Sequence, residues 1–149
     1  MLIHTDLSAI KRILEATRTV AVLGAHTDQD RAAFYVPEYL NSQGYRVLPV
    51  NPTKVGTVLW GEPVVAALSE VTTTHGAIDM VDVFRPSHAL AGHVDEILAM
   101  SPLPKVVWFQ LGIQDDAVAR TLVEAGIDVV QSRCTLADHR AFGLPSVAS

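Results

Sequence analysis

Two loops of the chain carry residues that can hold a phosphate. The first loop, Gly24-Ala25-His26-Thr27, follows the apolar run 19–23 and precedes a helix-like segment. A glycine lets the backbone approach a ligand closely, and the N-terminus of the following helix favours an anion. On this loop alone, a phosphate site and a plain strand-to-helix turn are equally good interpretations, because the spacing lacks the further glycines of a dinucleotide fingerprint.

The second loop, Asn51-Pro52-Thr53-Lys54, follows the apolar run 46–50. Enzymes that bind NAD usually have an Asp or Glu at this point, which holds the ribose hydroxyls. An asparagine followed by a lysine fits a ribose that carries a phosphate better than one with two free hydroxyls. The alternative for Lys54 is a solvated loop lysine, which is the commoner fate of this residue type.

A third apolar run ends in Phe84 and Arg85. The planar guanidinium of an arginine pairs well with phosphate, so Arg85 is a candidate ligand contact. The alternative is an ion pair with a local acid such as Asp82.

A fourth apolar run, 105–111, ends in Phe109, Gln110 and Leu111. Gln110 is a polar residue at the end of an apolar strand, which favours a position at a ligand cleft. Trp108 is expected to pack in the core and not to stack on a ligand.

The sequence predicts no metal site and no catalytic residue. None of the six histidines forms a pair with zinc-motif spacing, and the single cysteine, Cys134, excludes a thiolate cluster and an internal disulfide. No nucleophile elbow or pair of catalytic carboxylates is recognisable. His26 lies at the expected site, with an exposed loop histidine as the alternative. The string Asp138-His139-Arg140 is expected to be a solvated helix end.

Apolar runs alternate with helix-like segments along the whole chain, which predicts the elements that position these residues. The predicted strands are 19–24, 46–51, 77–84, 105–111 and 128–131, and the predicted helices are 6–16, 31–42, 63–68, 86–100, 115–124 and 136–141, with a loop over 53–61. Successive βα units imply right-handed crossovers and a parallel sheet. We therefore expect a Rossmann-like, three-layer α/β/α fold with a five-stranded, mainly parallel sheet.

Glycine and proline positions refine this expectation. Gly44 predicts the end of the second helix, and Pro37 inside it predicts a kink or a later start. Pro49 predicts an edge strand or a local irregularity. The predicted organisation is an N-terminal helix over 1–17 that packs on the domain, a main domain over 18–143 and a tail over 144–149 that frays.

Composition limits the classes of function. The 149 residues are 49% hydrophobic and carry a formal net charge of −5 without a Lys/Arg run, which argues against nucleic acid or a membrane surface as a partner. No secretory leader is recognisable at the start of the sequence, and a single cysteine is typical of a reducing compartment. We expect a cytoplasmic protein with a small-molecule ligand, and a protein partner or a homo-oligomer is left open.

Four strings of the sequence, taken in order, resemble one known family. They are PVNP at 49–52, VDVFR at 81–85, VWFQLGI at 107–113 and RC at 133–134. The chain resembles the small stand-alone (YccU-like) CoA-binding domain proteins over residues 19–140. The same domain is similar to the CoA-binding domain of the succinyl-CoA synthetase α chain.

The resemblance implies coenzyme A as the cofactor and a place for each candidate residue. The first loop would contact the diphosphate and pantetheine, and the second loop, through Asn51, Pro52 and Lys54, would surround the adenosine and its 3′-phosphate. Phe84 and Arg85 would line the adenine and ribose side or the adjoining cleft. Residues 109–111 would border the pantetheine arm.

The function implied is that of a non-catalytic module that binds CoA or acyl-CoA. Two alternatives stay open: an NAD(P)-binding oxidoreductase, and the CoA-binding subunit of a ligase-type enzyme whose catalytic chain is separate. Cys134 has two interpretations as well. It is either a buried, inert thiol or a group that faces the thiol end of CoA and forms a mixed disulfide with it.

Overall fold

The computed structural model describes residues 1–147. Its strands are β1 (Thr19–Leu23), β2 (Arg46–Val50), β3 (Val58–Leu59), β4 (Glu62–Pro63), β5 (Met80–Val83), β6 (Val106–Phe109) and β7 (Asp128–Val130). Its α-helices are α1 (Leu7–Ala16), α2 (Ala32–Ser42), α3 (Leu68–His75), α4 (Val94–Leu98), α5 (Asp116–Glu124) and α6 (Thr135–Ala141), and a 3₁₀ helix spans Ser87–His93.

Five of these strands form one parallel sheet in the order β2-β1-β5-β6-β7. Helices α1, α2 and α6 cover one face of the sheet, and α3, α4 and α5 cover the other. Side chains alternate between the two faces, so in β1 Val22 packs on the α2 side and Leu23 on the α3 side. The predicted three-layer, Rossmann-like fold with a five-stranded parallel sheet is confirmed.

Pro37 neither ends α2 nor delays its start, and the carbonyl that the proline leaves without a donor is used by the first loop. The helix begins at Ala32 and continues through Pro37 to Ser42. Pro37 has no N–H, so the carbonyl of Ala33 lacks its usual intrahelical donor. That carbonyl accepts instead from the backbone N–H of His26 in the first loop, with N···O 3.3 Å. A backbone hydrogen bond therefore fixes the first loop to the first turn of α2.

Pro49 lies on an edge strand, as its chemistry predicts. β2 is at one end of the sheet, and its outer side meets residue Val65 in a single parallel bridge. The carbonyl of Pro49 accepts from Val65 N–H at 3.2 Å, and Asn51 N–H donates to the carbonyl of Val65 at 2.9 Å. The missing N–H of Pro49 is not needed by the sheet at this edge.

The region after β2 differs from the prediction. The helix expected over 63–68 is wrong, because Glu62–Pro63 form β4, which pairs antiparallel with β3 inside the segment expected to be a loop. The chain then stays extended to reach the edge of β2 at Val65, so the helix starts only at Leu68. The helix expected over 86–100 is also divided, since Gly92, a weak helix former, lies in its 3₁₀ part.

The string 138–140 is not a solvated helix end, because α6 packs against α1 and α2. Asp138 and His139 are buried, and only Arg140 is exposed. Asp138 accepts two hydrogen bonds of 2.7 Å from the guanidinium of Arg133, and Tyr39 Oη lies 2.7 Å from His139 Nδ1. The pairs of Asp138 and of His139 Nδ1 offset part of the cost of burial, while His139 Nε2 is buried without a hydrogen-bond partner among residues 1–147.

Both ends of the described chain lie on the domain. Ile10 and Leu14 of α1 are buried in the core, and Leu144 and Val147 of the expected tail pack against the same cluster. Residues 148–149 of that tail lie outside the described residues. None of the helices within 1–147 has the length and apolar character needed to cross a bilayer.

We expect Leu14→Ala to lower the free energy of unfolding by about 2–5 kcal/mol, because a fully buried leucine leaves a cavity when it is truncated. Leu14 is 1% exposed, whereas Leu7 in the same helix is 53% exposed. The matched control Leu7→Ala should change the free energy by less than about 0.5 kcal/mol. Urea unfolding followed by circular dichroism measures both values. Equal losses would contradict the described packing of α1.

Candidate functional site

Two clefts open at the carboxyl edge of the parallel sheet, and Arg31 lines both. The first cleft has a volume of about 460 Å³ and is lined by Leu23, Gly24, His26, Arg31, Asn51, Pro52, Thr53, Lys54, Ala66, Arg85, His93 and Glu96. The second cleft has a volume of about 420 Å³ and is lined by Arg31, Ala32, Ala33, Tyr35, Val36, Phe84, Gln110, Leu111, Ile113 and Cys134. This is the edge at which open parallel sheets bind ligands.

The clefts contain most of the residues that the sequence singles out. The first cleft brings together six of them: Gly24, His26, Asn51, Pro52, Lys54 and Arg85. The second cleft contains Phe84, Gln110 and Leu111. Ala25 and Phe109 lie in the core with no exposed surface, and Thr27 is exposed but lines neither cleft.

Gly24 is required by the local backbone. Its φ is +89°, and a Cβ at this position would lie 3.1 Å from Cδ of Arg85. The backbone N–H groups of Gly24 and Ala25 both donate to the carbonyl of Val50, at 2.9 and 3.2 Å. The close approach that the glycine permits is therefore to Arg85, and the start of the first loop is fixed to the end of β2.

Asn51 connects the two loops that the sequence identifies. Its Nδ2 donates to the carbonyl of Ala25 at 2.8 Å, and its Oδ1 accepts from the N–H and the hydroxyl of Thr53 at 2.9 and 2.8 Å. A carboxylate could not donate to a carbonyl, so this position needs an amide. Asn51 shapes the first cleft through bonds within the protein.

The first cleft collects three cationic side chains, of which only Arg31 forms a salt bridge within residues 1–147. Lys54 forms no ion pair within residues 1–147, and Arg31 lies 3.7 Å from an exposed carboxylate oxygen of Asp28. Arg85 Nε donates to His93 Nε2 at 3.3 Å, so the ion pair with Asp82 considered from the sequence is not formed. In a chain with a net charge of −5, this concentration of positive charge favours an anionic ligand.

The N-terminus of α2 lies where the two clefts meet. Arg31 is the N-cap residue, and no side chain caps the first turn of the helix. Ala32 and Ala33 of that first turn line the second cleft. An uncapped helix N-terminus offers backbone N–H groups and the positive end of the helix dipole to an anion.

A buried polar network lies beneath the second cleft. Asp82 has no exposed surface, and its Oδ1 accepts from Gln110 Nε2 at 2.6 Å. Gln110 Nε2 also donates to Thr135 Oγ1 at 2.9 Å, and that hydroxyl lies 3.3 Å from Asp82 Oδ2. Burial raises the pKa of Asp82 to about 7, although the hydrogen bonds from Gln110 and Thr135 oppose the shift. The amide nitrogen of Gln110, which lines the cleft, is thus held by the protein.

The wall of the second cleft is more apolar than that of the first. Phe84, Leu111 and Ile113 contribute side chains from the loops after β5 and β6, and Leu111 is 72% exposed. Cys134, a free and half-buried thiol, lies on the same wall just before α6. An apolar cleft of this kind can bury a chain with few charges.

Sequence reasoning missed three polar residues of the first cleft: Arg31, His93 and Glu96. His93 Nδ1 lies 3.0 Å from Glu96 Oε1. The i,i+3 spacing of these two residues indicates that they are neighbours, but it does not indicate that they lie at the cleft. Among residues 1–147, no group of three or more His, Cys, Asp or Glu side chains is placed to hold a metal ion.

Fold and site together define a Rossmann-like α/β protein with a cationic cleft at the carboxyl edge of its sheet. Residues 18–140 match the model of a family described as a CoA binding domain. The chain belongs to this family, which confirms the resemblance carried by the four strings.

Similar proteins match nearly the whole length of this chain. The uncharacterized protein YneT of Bacillus subtilis (strain 168) is 34% identical over 130 residues, which cover 87% of this chain and 91% of that protein. A solved structure from Thermus thermophilus is 44% identical with a TM-score of 0.85, covering 92% of this chain and 98% of that one. A hypothetical protein from Pyrococcus horikoshii OT3 is 27% identical with a TM-score of 0.80, covering 91% of each chain.

The raised pKa of Asp82 predicts a pH dependence of stability. The carboxyl titrates at about 7 in the folded state and near its ordinary value of 3.8 in the unfolded chain, so between these values the folded state holds the extra proton. The contribution of Asp82 to the free energy of unfolding therefore falls as pH rises through this window, by roughly 4 kcal/mol in all.

Asp82→Asn removes this titration and keeps an oxygen that can accept from Gln110. We expect the unfolding free energy of the wild type minus that of the variant to decrease by roughly 4 kcal/mol between pH 4 and pH 8. Urea unfolding at a series of pH values measures this difference, in which the other titrating groups cancel. A difference that stays constant with pH would contradict the raised pKa.

Proposed function

We propose that this protein is a non-catalytic module that binds coenzyme A or an acyl-CoA. The observation that carries the proposal is the collection of Arg31, Lys54 and Arg85 around one cleft of a chain whose net charge is negative. CoA is a polyanion with a diphosphate and a 3′-phosphate. The membership of the chain in a CoA binding domain family supports the same ligand.

The two clefts suggest how CoA lies on the protein. In our proposal the adenosine occupies the first cleft, with its 3′-phosphate at Lys54. The diphosphate lies beside Gly24 and Arg31, at the uncapped N-terminus of α2, where the clefts meet. The pantetheine arm then enters the more apolar second cleft and runs toward Cys134.

The bonds of the second loop favour CoA over NAD. The amide of Asn51 is used to connect the two loops, and no carboxylate follows β2 to hold a pair of ribose hydroxyls. A lysine in this loop supports a phosphorylated ribose instead. The free thiol of Cys134 is compatible with the reducing, cytoplasmic setting that we propose for the protein.

A thermal-shift titration with CoA, dephospho-CoA, NAD and NADP tests the proposal, since a ligand that binds only the native state raises the melting temperature. We expect CoA to raise it most and dephospho-CoA, which lacks the 3′-phosphate, to raise it less. Stabilisation by NADP or NAD without any by CoA would refute the proposal and favour an oxidoreductase. Co-purification of a ligase-like chain would identify a subunit of a larger enzyme.

Lys54→Ala is expected to weaken CoA binding about tenfold and to leave dephospho-CoA binding nearly unchanged, because one charge-assisted contact to the 3′-phosphate is lost. Lys105→Ala is the matched control, since Lys105 pairs with Asp79 at the opposite edge of the sheet. It removes the same charge and should change neither affinity. Isothermal titration calorimetry measures both. Equal weakening by the two variants would mean that only the net charge matters.

The position of the pantetheine arm can be tested at the single cysteine. We expect acetyl-CoA, which has no free thiol, to slow the alkylation of Cys134 by iodoacetamide at least fivefold, because the arm would cover the second cleft. Adenosine 3′,5′-bisphosphate, which lacks the arm, should not protect. Mass spectrometry of the alkylated protein gives the rates. Equal rates with and without saturating acetyl-CoA would exclude this path for the arm.

A further inference from the structure

Arg85 stands at the end of a chain of three hydrogen bonds that begins at α3. The backbone N–H of Leu68, the first residue of α3, lies 3.1 Å from Glu96 Oε2, to which it donates. The other oxygen of this carboxylate, Oε1, lies 3.0 Å from His93 Nδ1. His93 Nε2 accepts from Arg85 Nε at 3.3 Å. The guanidinium is thus connected to the frame of the domain and not to solvent alone.

The direction of these bonds fixes the tautomer of His93. A guanidinium N–H can only donate, so His93 Nε2 must present a lone pair to Arg85. The ring proton then lies on Nδ1 and is donated to the carboxylate of Glu96. Glu96 is itself held by α3, whose N-cap residue, Ala67, has no side chain that could accept from the first turn.

Arg85 is also held from the other side. Its Cδ packs against Gly24, so closely that a Cβ on residue 24 would lie only 3.1 Å from it. Nε is occupied by His93, and no hydrogen bond within residues 1–147 uses the two terminal nitrogens of the guanidinium. Arg85 lines the first cleft, so these two nitrogens form the free, bidentate donor pair that suits a phosphate.

We propose that His93, fixed by Glu96, is a positioning residue that presents the terminal nitrogens of Arg85 to the diphosphate of the ligand. This inference rests on the proposed function, which supplies the ligand. Arg85 packs on Gly24, beside the uncapped N-terminus of α2, whereas Lys54 belongs to the second loop. The two cations therefore serve different phosphates: Arg85 the diphosphate and Lys54 the 3′-phosphate.

The first test uses the assignment of Arg85 to the diphosphate and of Lys54 to the 3′-phosphate. CoA and dephospho-CoA share the diphosphate and differ in the 3′-phosphate. We expect Arg85→Ala to weaken both ligands by about the same factor, at least tenfold, so that their affinity ratio is preserved. We expect His93→Leu to weaken both by about fivefold, because Arg85 regains rotamer freedom that binding must remove.

A double-mutant cycle gives the second readout. If His93 acts through Arg85, the variant with both Arg85→Ala and His93→Leu binds no more weakly than Arg85→Ala alone. His93→Gln should recover most of the affinity in the wild-type background, since its amide oxygen can accept from Arg85 Nε. Calorimetry with CoA and with dephospho-CoA measures the affinities, and circular dichroism and the melting temperature verify that each variant folds.

Glu96→Gln provides an independent variant if His93→Leu does not fold. It has nearly the same shape but lacks the charge that holds the proton on Nδ1, so it should weaken CoA in the wild-type background and not in the Arg85→Ala background. Multiplicative losses in both cycles would overturn the inference, as would a His93 effect seen with CoA alone. A wild-type protein that binds neither ligand would instead refute the proposed function, and the inference with it.

Discussion

The parallel pairing of the strands determines where the loops at the carboxyl edge of the sheet lie, and with them the clefts. β1 lies between β2 and β5, so the chain leaves β1 toward one side and returns on its other side. Parallel pairing continues past the ends of the strands: Gly24 N–H donates to the carbonyl of Val50, and Phe84 N–H donates to the carbonyl of Leu23. The first residues of the loops after β1, β2 and β5 are therefore held side by side by hydrogen bonds. Beyond that point the loops diverge, which leaves the clefts between them.

Polar residues at this edge divide into those that build the clefts and those that face them. Asn51 and Gln110 stand at the ends of strands, but each has its amide bonded within the protein. Lys54 and Arg85 keep charged nitrogens without protein acceptors within residues 1–147. A ligand of high negative charge thus meets free cations on a frame in which the amide nitrogens of Asn51 and Gln110 already donate within the protein.

Apolar runs of β-branched residues identified every strand of the main sheet, because strands covered on both faces must be apolar throughout. The sequence could not give the start of α3, since it is decided by the distant pairing of Val65 with the edge of β2. Residues of the loops that follow strands, such as Lys54 and Arg85, could be predicted from the sequence as candidates for the site. His93 could not, because it reaches the first cleft only through the packing of a 3₁₀ helix that local propensity did not reveal.

The proline in α2 has a consequence for how a ligand is received. Because Pro37 cannot donate, the carbonyl of Ala33 is open to His26, and the first loop becomes part of the hydrogen-bonded frame of the helix. The loop then has little conformational entropy left to lose. The entropy cost of ordering the first loop is met when the protein folds and not when the ligand binds. Because the loop is preorganised, more of the intrinsic contact energy remains as binding affinity.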